Sequence, residues 1–77
     1  MPREPRTAHV VAEMVANVMT VAVQPGDRVA VGDAVVLLES MKMEIPVLAE
    51  AAGTVSSVKV GAGDVVQEGD VLISIEL

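Results

Sequence analysis

Residues 13–39 read EMVANVMTVAVQPGDRVAVGDAVVLLE, and residues 50–76 read EAAGTVSSVKVGAGDVVQEGDVLISIE. A shift of 37 residues lays one stretch on the other with ten of 27 positions identical. The matches include Val18/Val55, Val21/Val58, Val23/Val60, Gly26/Gly63, Asp27/Asp64, Val29/Val66, Gly32/Gly69, Asp33/Asp70 and Glu39/Glu76. Each stretch follows one scheme: an apolar strand, a Gly-Asp turn, a short apolar piece, a second Gly-Asp turn and a longer apolar strand. A unit this short cannot bury a β core alone, so the two must stack.

The turns carry a mechanism. Gly reaches φ > 0 without steric cost, and Asp is expected to bond its own downstream backbone. Pro25 presets φ for the first turn. Two turn signals six residues apart leave room only for a very short strand, with Val29 and Val66 as its buried members. Val71, Ile73, Ile75 and Leu77 alternate with Leu72, Ser74 and Glu76, which predicts a half-buried strand of period two. Val18 and Val21 differ in parity, as do Val55 and Val58, so a bulge is expected at the same place in both stretches.

Composition points the same way. Of the 77 residues 52% are hydrophobic and none is aromatic, while seventeen are Val and three are Ile. β-Branched side chains are stiff at χ1 and favour strands. A chain of this length buries only about 60% of its unfolded surface, and no Cys is present to staple it. The expectation is an all-β fold: a flattened β-barrel or sandwich of two four-stranded antiparallel sheets, its halves related by a pseudo-twofold axis. Strands are predicted near Val10–Met14, 17–23, 28–30, 35–40, Ile45–Ala49, 53–60, 65–67 and 71–77. Residues 1–8, with two Pro and outside the repeat, are read as a flexible tail, and residues 9–77 as one domain.

Several function classes are disfavoured. The net charge of −6 and the absence of aromatic rings oppose nucleic-acid binding. The longest apolar run, Ala34 to Leu38, falls far short of the ~18 residues of a spanning helix. No signal-peptide core follows Arg3 and Arg6, so no membrane role and a cytoplasmic location are expected. One His and no Cys leave no obvious nucleophile–base pair, and His9 alone makes no metal site. The four turn Asp residues recur at equivalent places, which assigns them to backbone bonding rather than catalysis. The Gly residues form no G-x-G-x-x-G phosphate cradle.

The segment joining the halves, Glu39-Ser40-Met41-Lys42-Met43-Glu44, lies between two strand-like runs and must form a hairpin. Tight hairpins favour Asn-Gly or Asp-Gly, because both central residues need φ > 0. Met41-Lys42 breaks that rule in a chain that obeys turn rules elsewhere, and such local conflicts mark functional sites. Only one other lysine exists, Lys59, which aligns with Ala22 and reads as a solvated strand charge. The competing expectation is that Met41 and Met43 tuck into the core and Lys42 is a plain turn residue. Met is also soft, adaptable and common at binding surfaces.

At these residues the sequence resembles the biotinyl domains of biotin-dependent carboxylases, within the wider biotinyl/lipoyl attachment family. The resemblance spans about residue 9 to 77. It rests on Glu39-Ser40-Met41-Lys42-Met43-Glu44, Gly53-Thr54-Val55, Gly63-Asp64-Val65-Val66 and Glu68-Gly69-Asp70-Val71-Leu72. It implies the barrel-sandwich fold of that family, with Lys42 at a hairpin tip opposite the termini, covalently biotinylated by biotin protein ligase. Met41 and Met43 are then the flanking residues that favour biotin over lipoate, and Glu39, Ser40 and Glu44 the hairpin context. Lipoyl domains typically carry Asp-Lys-Ala at the tip; Ser40 departs from the usual Ala of the biotin pattern. No thumb insertion precedes the hairpin, and the chain looks like a freestanding carrier or a fragment cut at domain boundaries.

The implied function is a biotin carboxyl carrier, a monomer with no catalysis of its own. Its biotin takes CO2 between biotin carboxylase and carboxyltransferase subunits. An amide to biotin needs an amine, and lysine offers one on a long flexible stem; activation is left to the ligase. Two alternatives stand beside this reading: a lipoyl-lysine carrier, and a non-catalytic structural lipoyl-like module. In the latter the halves are usually separated by a long insertion, which the uninterrupted junction lacks.

Overall fold

The computed structural model describes residues 6–77. Eight strands follow one another: β1 (Thr7–Val11), β2 (Ala16–Val21), β3 (Arg28–Val29), β4 (Ala34–Ser40), β5 (Met43–Leu48), β6 (Gly53–Val58), β7 (Val65–Val66) and β8 (Val71–Glu76). They form two four-stranded sheets with antiparallel pairing throughout, ordered β1-β8-β6-β3 and β5-β4-β2-β7. The 37-residue shift sends β1, β2, β3 and β4 onto β5, β6, β7 and β8. Applied to the first sheet, it returns the second in order. Each sheet thus takes two strands from each half, and the halves interlock rather than form one sheet apiece.

Most expected strands lie within a few residues of the observed ones, and the first moves furthest. β1 starts at Thr7, which pairs with Glu76, and stops at Val11 instead of running on to Met14. Thr7 and Ala8 therefore belong to the sheet and not to a tail; residues 1–5 lie outside the described residues. The early stop has a physical cause. The Ala12 N–H donates to the Asp70 carbonyl at 2.9 Å, and the Ala12 carbonyl accepts from the Gly69 N–H at 2.8 Å. A turn has taken the ladder bonds a longer β1 would need. Ala49, the repeat partner of Ala12, is held in the same way by Gly32 and Asp33, and β5 ends before it.

The four Gly-Asp turns share one geometry. Gly26, Gly32, Gly63 and Gly69 have φ between +92° and +96°. The N–H of each following Asp donates to the carbonyl three residues back, as in a type II turn. The Asp side chains bond upstream, not downstream as the sequence suggested. Asp27, Asp33, Asp64 and Asp70 each accept the backbone N–H three residues earlier, at 2.8–2.9 Å. Each turn then grips a buried residue of the opposite half. Gly26 N–H and the Asp27 carbonyl hold Val55, while Gly63 N–H and the Asp64 carbonyl hold Val18.

Bulges fall where the parity change placed them. Met19 is the extra residue of β2 against β4, and Ser56, its repeat partner, the extra residue of β6 against β8. A second related pair lies at Val35 and Leu72. These let adjacent residues both face inward: Val35 and Val36 are buried, as are Leu72 and Ile73. The clean alternation expected for β8 is lost for that reason, and because Ser74 is covered by His9, whose Nδ1 is hydrogen-bonded to Ser74 Oγ at 3.0 Å. The core between the sheets is entirely aliphatic: Val10, Val18, Val29, Val55 and Val66 meet Leu38, Ile73 and Ile75.

Gly53 shows how closely neighbouring strands of one sheet approach where β6 begins beside β8. A Cβ there would collide with the Glu76 carbonyl and lie 2.8 Å from Ile75 Cγ2, whereas its repeat partner, Ala16, accommodates a methyl group.

Candidate functional site

Strands β4 and β5 pair from Ala34↔Leu48 to Ser40↔Met43, leaving Met41 and Lys42 as the two residues of the connecting turn. Both have positive φ, 52° at Met41 and 65° at Lys42. This is the left-handed pair a type I′ hairpin requires, and it matches the right-handed twist of the strands it joins. No other non-glycine residue has positive φ among those described. For L-residues such a conformation costs roughly 1–2 kcal/mol each. The strong β4–β5 ladder holds the tip in it.

The hairpin lifts its side chains off the domain. Met41 is 93% exposed and Met43 62%, so neither tucks into the core, and the plain-turn expectation fails on that point. Lys42 and Glu44 are exposed, while Glu39 and Ser40 are half-buried. Glu39 and Glu44 stand directly opposite each other across the strands, one row below Ser40 and Met43. The sequence-predicted residues are therefore brought together on one hairpin. Lys59 is exposed on a different sheet, just past β6.

The tip and the chain ends lie at opposite ends of the domain. β2 begins beside the tip, where Asn17 pairs with Glu39, and runs away from it to the turn at Gln24–Asp27. That turn holds Val55, next to Thr54, which pairs with Glu76. At the same end the Leu77 N–H donates to the Arg6 carbonyl at 2.9 Å.

The tip is convex. A groove of about 620 Å³ runs between the free edges of β1 and β5, lined by His9, Val10, Met14, Ile45 and Val47 among others; Met41, Lys42 and Met43 are not part of it. Among the described residues no three His, Asp or Glu side chains cluster as metal ligands. The described residues form no helix long and apolar enough to cross a membrane. The arrangement can present a primary amine to another protein.

The pairing also extends the hairpin's row to two residues the sequence reading did not single out. Asn17 pairs with Glu39 on one side and Val65 on the other. The available signal was the repeat alignment, which sets Val65 against Arg28.

Comparison with known proteins agrees with this geometry. The chain is 68% identical to the "Biotinylated protein TB7.3" of Mycobacterium tuberculosis over 38 residues, 49% of this chain and 54% of that protein. It thus spans about half the length of the curated relatives it matches. Its fold superposes with a TM-score of 0.86 on part of a single-chain, multi-domain long-chain acyl-CoA carboxylase. That match has 30% identity and covers 99% of this chain and 8% of the carboxylase. The lipoyl domain of the 2-oxoglutarate dehydrogenase complex from Azotobacter vinelandii superposes at 0.68 with 29% identity, covering 92% of both chains. Residues 3–75 match the family described as "Biotin-requiring enzyme". With that match over nearly all of its length, the chain belongs to the biotin-requiring enzyme family.

Proposed function

We propose that Lys42 is the attachment residue, acylated through its Nζ by a biotin protein ligase, and that the chain then serves as the carboxyl carrier of a biotin-dependent carboxylase. The observation that carries this reading is the Met41-Lys42 turn: the two positive-φ non-glycine residues among those described form an exposed hairpin tip, with Lys42 between Met41 and Met43. The residues present fit the group. An exposed amine on a four-carbon stem can enter a partner's active site and form a stable amide, and nothing in the fold covers it.

When bound, biotin supplies a ring nitrogen that accepts and releases a carboxyl group. The chain's own residues lift and orient the lysine. Met41 and Met43 give the ligase an adaptable apolar handle, with Glu39, Ser40 and Glu44 setting the hairpin beneath. Turnover belongs to the partners, biotin carboxylase and carboxyltransferase subunits, and the carrier works as a cytoplasmic monomer. The likeness to the TB7.3 protein and to the carboxylase chain supports this.

A lipoyl-lysine carrier is the second reading, favoured by the likeness to the Azotobacter lipoyl domain along 92% of both chains. Met41 and Met43, in place of the Asp and Ala typical of lipoyl tips, speak against it.

The test is intact mass and a streptavidin blot after incubation with ligase, ATP and biotin, in parallel with lipoate and its ligase. One biotinyl increment is expected on the wild type and none on Lys42→Arg. Label at Lys59, or a lipoyl increment only, overturns the biotin reading. An unmodified wild type favours the structural module.

A further inference from the structure

The pseudo-twofold relation supplies an internal control for the surface around Lys42. Glu44, Glu39, Asn17 and Val65 form one row straight across the lysine-bearing sheet. The neighbouring positions Ala16 and Val66 are buried, so this row faces outward, and Val65 is 66% exposed. The repeat-related row in the other sheet is Thr7, Glu76, Thr54 and Arg28. There the single carboxylate shares its row with a guanidinium. Beside the tip the row carries two carboxylates and no cation, and the place of Arg28 is taken by an exposed Val65.

The same substitution pattern holds in the next rows. Met43 stands where the other half has Arg6, and exposed Val15 (63%) where it has Ala52. The tip end thus sets apolar side chains at two places where the repeat-related positions carry Arg6 and Arg28. Folding does not require this, since the same backbone tolerates Arg28 and Ala52 at the equivalent places.

We propose that this row, with exposed Val15 beyond it on the same face, is the docking surface for the enzyme that acylates Lys42, and that this enzyme presents an apolar recess for Val65 flanked by cationic side chains. The inference rests on Lys42 being the acylated residue. Strand spacing places Val65 about 10 Å from Glu39, two strands away. The footprint therefore extends well beyond the Met-Lys-Met turn. The two carboxylates steer a cationic partner into place, and the apolar end fixes the register.

Two of the variants, Val65→Arg and Glu44→Thr, exchange residues between the related rows and so carry a side chain the fold already bears at the equivalent place; Val65→Glu reverses the charge. Ligase kinetics with ATP and biotin are measured on Val65→Arg, Val65→Glu and Glu44→Thr, with thermal unfolding alongside. Val65→Arg is expected to lower kcat/KM about tenfold through KM, with kcat at saturating carrier within about twofold of wild type. Val65→Glu loses less than Val65→Arg, because its charge suits a cationic partner. Glu44→Thr flattens the fall of kcat/KM with rising salt. Wild-type kinetics for stably folded Val65→Arg, a loss falling on kcat, or an equal loss in Val65→Glu overturns the docking surface while leaving Lys42 acylation intact. A wild type unmodified at Lys42 overturns both.

Discussion

The four Gly-Asp corners and the Met41-Lys42 corner solve the same problem in opposite ways. All five reverse the chain between strands through positive φ. At the four corners Gly carries that angle at little cost, and an Asp carboxylate closes the turn onto a backbone N–H. At the fifth, two side-chain-bearing residues carry it, and no side-chain hydrogen bond supports either. Strain is avoided where the turn only builds the fold and accepted where it holds out an amine. That contrast singles out the tip at which attachment is proposed without reference to any relative.

The largest effect comes from giving a structural corner the chemistry of the tip. At Gly63 a Cβ would meet nothing within 4 Å, so a substitution there reads the backbone term alone. Gly63→Val should lower unfolding free energy by about 2 kcal/mol, and Gly63→Asn by less, in urea denaturation. A cost near zero would mean that positive φ is cheap here, and the contrast with the tip would vanish.

A smaller effect tests whether the corners are equivalent. Asp27→Ala and Asp64→Ala remove the same bond, 2.9 Å to Gln24 and 2.8 Å to Gly61. Each should cost about 1 kcal/mol. The two midpoints should agree closely, since each turn grips a buried valine of the other half. A marked inequality would show that one half holds the other more firmly.

The smallest effect runs the other way. Replacing the tip by Asn-Gly, Met41→Asn with Lys42→Gly, should raise stability by about 0.5 kcal/mol while abolishing acylation. A destabilised double variant would show that Met41 and Lys42 are not strained, and the argument from turn chemistry would fail.

Much of this was readable beforehand, because the repeat is local information written twice. The paired Gly-Asp signals, the short strands around Val29 and Val66, the bulges near Val18 and Val55 and the exceptional junction at Lys42 all follow from spacing and residue type. Most of what escaped reading depends on contacts between distant residues; the bond from Gln24 to Asp27 is local, and only its direction was misread. Nothing in the order of residues says that Asp27 bonds back to Gln24, that Ala12 surrenders its ladder bonds to the turn at Asp70, or that β1 reaches back to Thr7. Gly53 aligns with an alanine, yet the Glu76 carbonyl leaves no room for a methyl group. Val65 was visible only as a mismatch with Arg28, and gained meaning once the register set it in line with Glu39 and Glu44.

The reciprocal grip of the turns also bears on how the chain reaches this state. Gly26 and Asp27 close on Val55, Gly63 and Asp64 on Val18, Gly32 and Asp33 on Ala49, and Gly69 and Asp70 on Ala12. Neither half can complete its own turns, so a folded half has no partner for these groups and should not accumulate. Assembly then waits on closures between residues far apart along the chain, which are entropically slow but highly cooperative. All four closures are independent of the peptide bond between Met41 and Lys42. Two fragments cut at that bond should therefore find each other and refold as a bimolecular pair, at a rate set by their concentration.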